Sequence, residues 1–201
     1  MSKKICDIVL FPSSNLSKKA ILASKKLEKL NSLFTLGDDK YFPHISLYVF
    51  VLNEVDMHLV KETLDLISEN TNRLTLEAYT YGHIDRFIDA EYKKSTELTY
   101  LQENVIKAVN PISSGMRQID IDRMKIASGE ELQNYNDYRY RYVGSLFRPH
   151  MTLTRFSKDN QKSSDVLGDI SEFSGIFDRI GLVELGDNGT AASKLYEANL
   201  F

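Results

Sequence analysis

The chain reads as an α+β protein built on an internally duplicated plan, and three observations point there. A five-residue motif, Pro-His-apolar-hydroxyl-Leu, occurs twice, as Pro43-His44-Ile45-Ser46-Leu47 and Pro149-His150-Met151-Thr152-Leu153. Each copy sits in a run of apolar, β-branched and aromatic residues, Ile45 to Leu52 and Met151 to Phe156, of the kind that forms strands. A strand and a helix precede each copy. A shift of 106 positions (150 − 44) also lays the elements after His44 over those after His150.

The elements follow in order. Ile5 to Phe11 is a short apolar strand that stops at the turn and cap residues Pro12-Ser13-Ser14-Asn15. A helix from about Ser17 to Leu30 has Leu16, Ala20, Ala23, Leu27 and Leu30 on one face, with its lysines on the solvated side. Gly37-Asp38-Asp39 marks a loop before the first histidine strand. Asp56 is placed to cap a second helix with the stripe Met57, Val60, Leu64 and Ile67, and His58 lies off that stripe. Leu74, Leu76 and Ala78 alternate with polar residues as one half-buried strand. Gly82 breaks the run, His83 falls in the turn, and Arg86 to Tyr92 is the partner strand.

Ser95 or Thr96 opens a third helix with Leu98, Leu101, Val105 and Ala108 on one face, stopped by Asn110-Pro111. After the second histidine strand a helix is expected near Lys162 to Phe173, then strands near Phe177 to Leu185 and Leu195 to Leu200. The symmetry breaks in one place. From Leu30 to His44 is 14 residues, whereas from Asn110 to His150 is 40. The surplus of about 26 residues makes an insert at about 113–147 in what is otherwise a single domain over 1–201. It interleaves Tyr138, Tyr140 and Tyr142 with Arg139 and Arg141, and a short helix is expected from Gly129 to about Tyr138. Long inserts in compact domains are often functional loops.

Composition narrows the classes of function. A hydrophobic content of 42% and a charged content of 26% suit a globular protein with a real core. A net charge of −3 argues against attraction to nucleic acid over the whole surface, so any phosphate site is local. The single Cys6 excludes a disulfide framework within the chain and reads as a buried thiol. No run reaches transmembrane length, and residues 1–12 lack a signal-peptide core, so no membrane partner and a cytoplasmic monomer are expected.

Strand alternation places His44 with Ser46, and His150 with Thr152, each pair roughly 7 Å apart along its strand at about 3.3 Å per residue. Two imidazoles on either side of a phosphodiester suit its chemistry: one oxygen must lose a proton as it attacks, and another must gain one as it leaves. Histidine titrates near neutrality and serves in either role. Hydroxyls beside them can donate to the non-bridging oxygens, where charge builds up. By parity Arg148 shares the His150 face and Arg155 does not, while Tyr48 lies beyond Ser46 on the His44 face. No second metal ligand stands two residues from either histidine, so neither a metal nor a cofactor is expected.

These two motifs resemble those of the two-histidine phosphoesterase superfamily, which includes the 2'-5' RNA ligase-like proteins and the cyclic phosphodiesterases. Arg148-Pro149-His150-Met151-Thr152-Leu153-Thr154-Arg155 matches the second motif of that family down to the trailing arginine, and Pro43 to Leu47 matches the first. The resemblance implies a bilobal α+β fold, with two antiparallel sheets facing a central groove and helices outside. It implies catalytic or phosphate-binding roles for His44, Ser46, His150 and Thr152, with Arg148, Arg155 and Tyr48 as candidate substrate contacts. It also implies metal-independent work on 2',3'-cyclic phosphates or 2'-5' linkages in RNA ends or small nucleotides. Two alternatives stay open here: a nucleotide-binding module without turnover, and 2'-5' RNA ligation, the reverse reaction. Which histidine is acid and which is base is also open.

Overall fold

The computed structural model describes residues 2–159 and 163–201. Two antiparallel sheets form it. The larger has the order β2 (Ile45–Asn53), β1 (Lys3–Pro12), β7 (Gly175–Leu185), β3 (Leu74–Leu76), and β8 (Ala191–Asn199) continues along the β3 side of β7. The smaller has the order β4 (Ala78–Ile84), β5 (Phe87–Tyr92), β6 (His150–Arg155). The two histidine strands are thus edge strands, one per sheet, and β2 lies against β6. Leu74, Leu76 and Ala78 belong to two strands in different sheets, because the chain changes sheet at Glu77. The β4–β5 turn is Asp85-Arg86, both at positive φ as tight hairpins require, so His83 sits within β4 opposite Ile88 instead of in the turn.

The helices interlock the sheets. Helix α1 (Ser14–Leu27) joins β1 to β2 in sequence but packs on β6 as well as β1, and α3 (Thr96–Val109) lies between β5 and β6 in sequence but packs on β2. Each histidine strand is therefore backed by the helix of the other β–α–β unit. The main core results, with Leu16, Ala20 and Leu27 from α1 and Leu98, Leu101 and Val105 from α3 fully or almost fully buried in it, and Val9, Phe11, Val183 and Ala191 form a smaller separate cluster. Ala108 is exposed, and Val109 takes its place on the buried face. Ser95 caps α3 by accepting from the Leu98 amide. Helix α2 (Met57–Glu69) covers β7 and β8; Asp56 stands at its N-cap position but accepts from Asn53 and caps no helix amide.

Two of the expected correspondences between halves are absent. The helix near Lys162 to Phe173 begins outside the described residues, and its described part is two short 3-10 turns, Ser163–Val166 and Ile170–Phe173. Asp169 accepts from the Ser171 amide, which starts a new turn where a helix would have continued. Strands β7 and β8 join the sheet of β1 and β2, so the repeat that survives is β–α–β: β1-α1-β2 and β5-α3-β6. Segment 113–147 folds into α4 (Gln118–Met124) and α5 (Gly129–Tyr138), and its start lies along the open edge of β2, where the Ser114 amide donates to the Val51 carbonyl at 2.8 Å. Cys6 is buried, and burial pushes its thiol up to about 12, where it is inert. No helix among the described residues is long and apolar enough to cross a membrane.

Candidate active site

A backbone carbonyl sets the tautomer of each imidazole. His44, just ahead of β2, donates from Nδ1 to the Phe42 carbonyl at 2.6 Å; His150, the first residue of β6, donates from Nδ1 to the Arg148 carbonyl at 2.7 Å. The carbonyl is two residues upstream in both motifs. A carbonyl only accepts, so Nδ1 keeps the hydrogen and Nε2 of the neutral ring presents a lone pair. Burial pushes His44 down to about 4. The Phe42 carbonyl opposes that shift and charge on His150 adds to it, so the two rings are near enough that a proton on one disfavours a proton on the other.

Each hydroxyl is held by a carboxylate that the sequence reading missed. Ser46 Oγ donates to Asp7 Oδ2 at 2.5 Å, and Thr152 Oγ1 donates to Asp89 Oδ1 at 2.7 Å. Both aspartates are buried. The available signal was a charged residue in the middle of an apolar strand, Asp7 within Ile5 to Phe11 and Asp89 beside Ile88 and Ala90. The two do not occupy equivalent positions. Asp89 lies directly across from Thr152, whereas Ser46 faces Val9 and Asp7 reaches it from two residues along β1. Burial pushes Asp7 up to about 7, against the Ser46 hydroxyl, Arg117 and the Tyr48 amide, all of which favour the anion.

A β-bulge in each histidine strand decides which further side chains reach the groove. In β2 the register passes from Ile8 opposite Tyr48 to Val9 opposite Ser46, leaving Leu47 as the extra residue. In β6 it passes from Ile88 opposite Thr154 to Asp89 opposite Thr152, leaving Leu153. The bulge falls at the motif leucine both times, and beyond it alternation inverts. Arg155, opposite Phe87, therefore shares the face of Thr152 and His150, contrary to simple parity. It stacks its guanidinium 4.8 Å from the Phe87 ring centroid and donates to Asn188 at 3.2 Å. The same inversion corrects the placement of Tyr48, which turns with Ile8 into the core. It is fully buried, with its hydroxyl 2.8 Å from the Tyr138 carbonyl and 2.9 Å from Asn110 Oδ1, and it offers no face to a base.

Arg148 reaches the groove face but arrives already paired. Its Nη2 donates to Asp89 Oδ2 at 2.9 Å and its Nη1 to Glu91 Oε1 at 2.6 Å. Gly82 leaves room for that pair, since a Cβ there would stand 2.1 Å from Glu91 Oε1. Beside Arg148 a cavity of about 250 Å³ opens between Tyr79, Lys93, Lys94 and Phe147. The Tyr/Arg run of 138–142 packs on the body: Tyr140 is buried edge-on between Tyr48 and Tyr142, while Arg141 lies over the Tyr142 ring at 4.4 Å. His58 and His83 are exposed. Among the described residues, no three His, Cys, Asp or Glu side chains converge as a metal site.

No protein-family model and no curated protein matches the chain by sequence. Solved structures do match by shape. E. coli LigT in its apo form superposes with a TM-score of 0.60 at 12% identity, covering 100% of this chain and 99% of that one. E. coli LigT complexed with 3'-AMP matches at 0.56 and 12% over the same shares. A structure described as a phosphoesterase matches at 0.53 and 10%, covering 99% of each chain. With two antiparallel sheets and the full length aligned, the chain has a LigT-like α+β fold.

Proposed function

We propose that the protein is a metal-independent phosphoesterase that opens 2',3'-cyclic phosphates or cleaves 2'-5' phosphodiesters in RNA ends or small nucleotides. One observation carries this reading: the same device, an imidazole oriented by a carbonyl two residues upstream beside a carboxylate-held hydroxyl, occurs on each of two adjacent edge strands. Binding alone would not need two imidazoles with matched tautomers. LigT has been crystallised with 3'-AMP and with ATP, which supports a nucleotide-sized substrate here.

His44 is assigned as the general base for cleavage. Its surroundings disfavour the cation, so at neutral pH its Nε2 takes a proton from the attacking water. His150 is the general acid: as the imidazolium, with a hydrogen on each ring nitrogen, it donates from Nε2 to the ribose oxygen as its bond to phosphorus breaks and is left neutral. Ser46 and Thr152 flank the non-bridging oxygens, toward which a hydroxyl hydrogen can be aimed. Arg155, held by Asn188 and Phe87, supplies positive charge, while Arg148 fixes Asp89 and Glu91.

The test is incubation with nucleoside 2',3'-cyclic phosphates and 2'-5' linked oligonucleotides in EDTA. Turnover should survive the chelator, and His44→Ala and His150→Ala should each lower kcat by about 10²–10⁴-fold. Binding without conversion, or complete loss of turnover in EDTA, overturns the proposal.

A further inference from the structure

The two hydroxyl–carboxylate pairs differ in how their carboxylates are satisfied. Both oxygens of Asp89 are used: Oδ1 accepts from Thr152, and Oδ2 accepts from the Arg148 guanidinium. Asp7 is fully buried, its Oδ2 meets Ser46 Oγ at 2.5 Å, and its Oδ1 is buried without a hydrogen-bond partner. Among the described residues, no guanidinium is hydrogen-bonded to it. Arg117, at the N-cap of α4, bears on Asp7 through its charge but is already committed to Asp120 at 2.5 and 3.0 Å. The other groups that bear on Asp7 are the Tyr48 amide from β2, the Tyr140 phenol and its neighbour Cys6, while its partner across β7 is Val183. A bare carboxylate with one orphaned oxygen is costly in such a place, and a neutral carboxylic acid is not.

Resting on the phosphoesterase reading above, we propose that Asp7 is a positioning residue that works as a neutral acid. Its O–H donates to Ser46 Oγ and so frees the Ser46 hydrogen for a substrate phosphate. A serine hydroxyl has one hydrogen and two lone pairs. Beside an ionised Asp7 that hydrogen is spent on the carboxylate; beside a protonated Asp7 the serine accepts through a lone pair and keeps its hydrogen for phosphate. The elevated protonation range of Asp7, produced by burial, places this exchange near neutrality. Thr152 stands in a different setting, because both oxygens of Asp89 are hydrogen-bonded, one to Thr152 and one to Arg148. The hydroxyl of the first motif is thus a pH-gated phosphate donor, and that of the second stands beside a carboxylate that Arg148 engages.

Two readouts test this. The first is infrared difference spectroscopy of the intact protein between about pH 5 and pH 8, from just above the ordinary carboxylate range to just past neutrality. A carbonyl stretch from a protonated carboxyl should be present in wild type at the acid end, fade toward the alkaline end and be absent from Asp7→Asn. Wild type showing no such band beyond that of Asp7→Asn overturns the proposal, whether or not the protein turns over any phosphodiester. The second is the pH dependence of kcat/KM on a 2',3'-cyclic phosphate. In Asp7→Asn the amide N–H donates to Ser46 at every pH, so one alkaline ionisation should vanish from the profile. In Arg117→Met the same ionisation should move to higher pH, since Arg117 favours the anion; this variant leaves Asp7 in place should Asp7→Asn fold poorly. Profiles of both variants that superpose on wild type overturn the proposal. A protein with the infrared band but no turnover on any substrate refutes the phosphoesterase reading and leaves the Asp7–Ser46 proton intact.

Discussion

Protonating His44 where it stands means placing a cation in a largely enclosed setting next to a second imidazole, and ionising Asp7 means placing an anion where one oxygen has no donor. These two costs act on stability in opposite directions. The folded value of His44 is about 4 against an ordinary 6.5, so between those values the unfolded chain binds more protons there and stability falls as pH falls. The folded value of Asp7 is about 7 against an ordinary 3.8, so there the folded chain binds more protons and stability falls as pH rises. From about pH 4 to 6.5 the slopes oppose each other, each up to about 1.4 kcal/mol per pH unit, and the wild-type Tm contribution from the pair should be nearly flat. Thermal denaturation across that window should unmask them: His44→Ala should lose stability with rising pH, and Asp7→Asn with falling pH. Parallel curves for all three proteins would show that neither group is perturbed. Of this chemistry, the imidazoles and hydroxyls were legible because they repeat as a motif. The aspartates were not, because a single charge in an apolar strand carries no repeat and their positions are not equivalent between the strands.

At the scale of elements, the bulges at Leu47 and Leu153 organise the site, and each has a buried peg. A bulge takes a carbonyl out of its ladder. Gln102 of α3 donates from Nε2 to the Leu47 carbonyl at 3.1 Å and to the Tyr142 carbonyl at 2.8 Å. Ser24 of α1 donates to the Leu153 carbonyl at 2.7 Å and accepts from the Leu36 amide at 2.9 Å. Both side chains are fully buried and both come from the opposite β–α–β unit. Gln102→Leu and Ser24→Ala should each cost about 1–3 kcal/mol, the penalty for orphaned buried groups, measured from urea midpoints; losses under about 0.5 kcal/mol would show that the bulges need no peg. Strand positions were readable from composition and alternation, and α1, α2 and α3 from their stripes. What alternation cannot see is an extra residue in a strand: it put Tyr48 in the groove and Arg155 outside it, and one bulge in each strand reverses both. Nor does periodicity see Asp169 capturing the Ser171 amide, which turns an expected helix into 3-10 turns.

At the scale of the molecule, the β–α–β repeat does not divide the chain into two independent halves. Strand β7, from the C-terminal third, lies between β1 and the strands β3 and β8, pairing with β1 from Cys6 opposite Glu184 to Pro12 opposite Phe177. A fragment ending after β5 would keep β1, β2 and β3 but lose the strand that joins β1 to β3, along with the helix α3 that backs β2. The remaining fragment would keep β6 and β7 without β5 or β1 to pair with. The buried apolar face of each sheet would meet water, and neither piece could repay the entropy of ordering its chain. Fragments 1–93 and 94–201, made separately, should therefore show no cooperative melt by far-UV circular dichroism, while the intact chain should unfold in a single transition by circular dichroism and tyrosine fluorescence alike. A cooperative transition in fragment 1–93 alone would mean that the first histidine strand is stabilised locally. Loss of both transitions would instead tie the site to the closed architecture: the imidazoles meet because β2 and β6 are each the outer strand of a sheet, and each is held in place by a helix from the other unit.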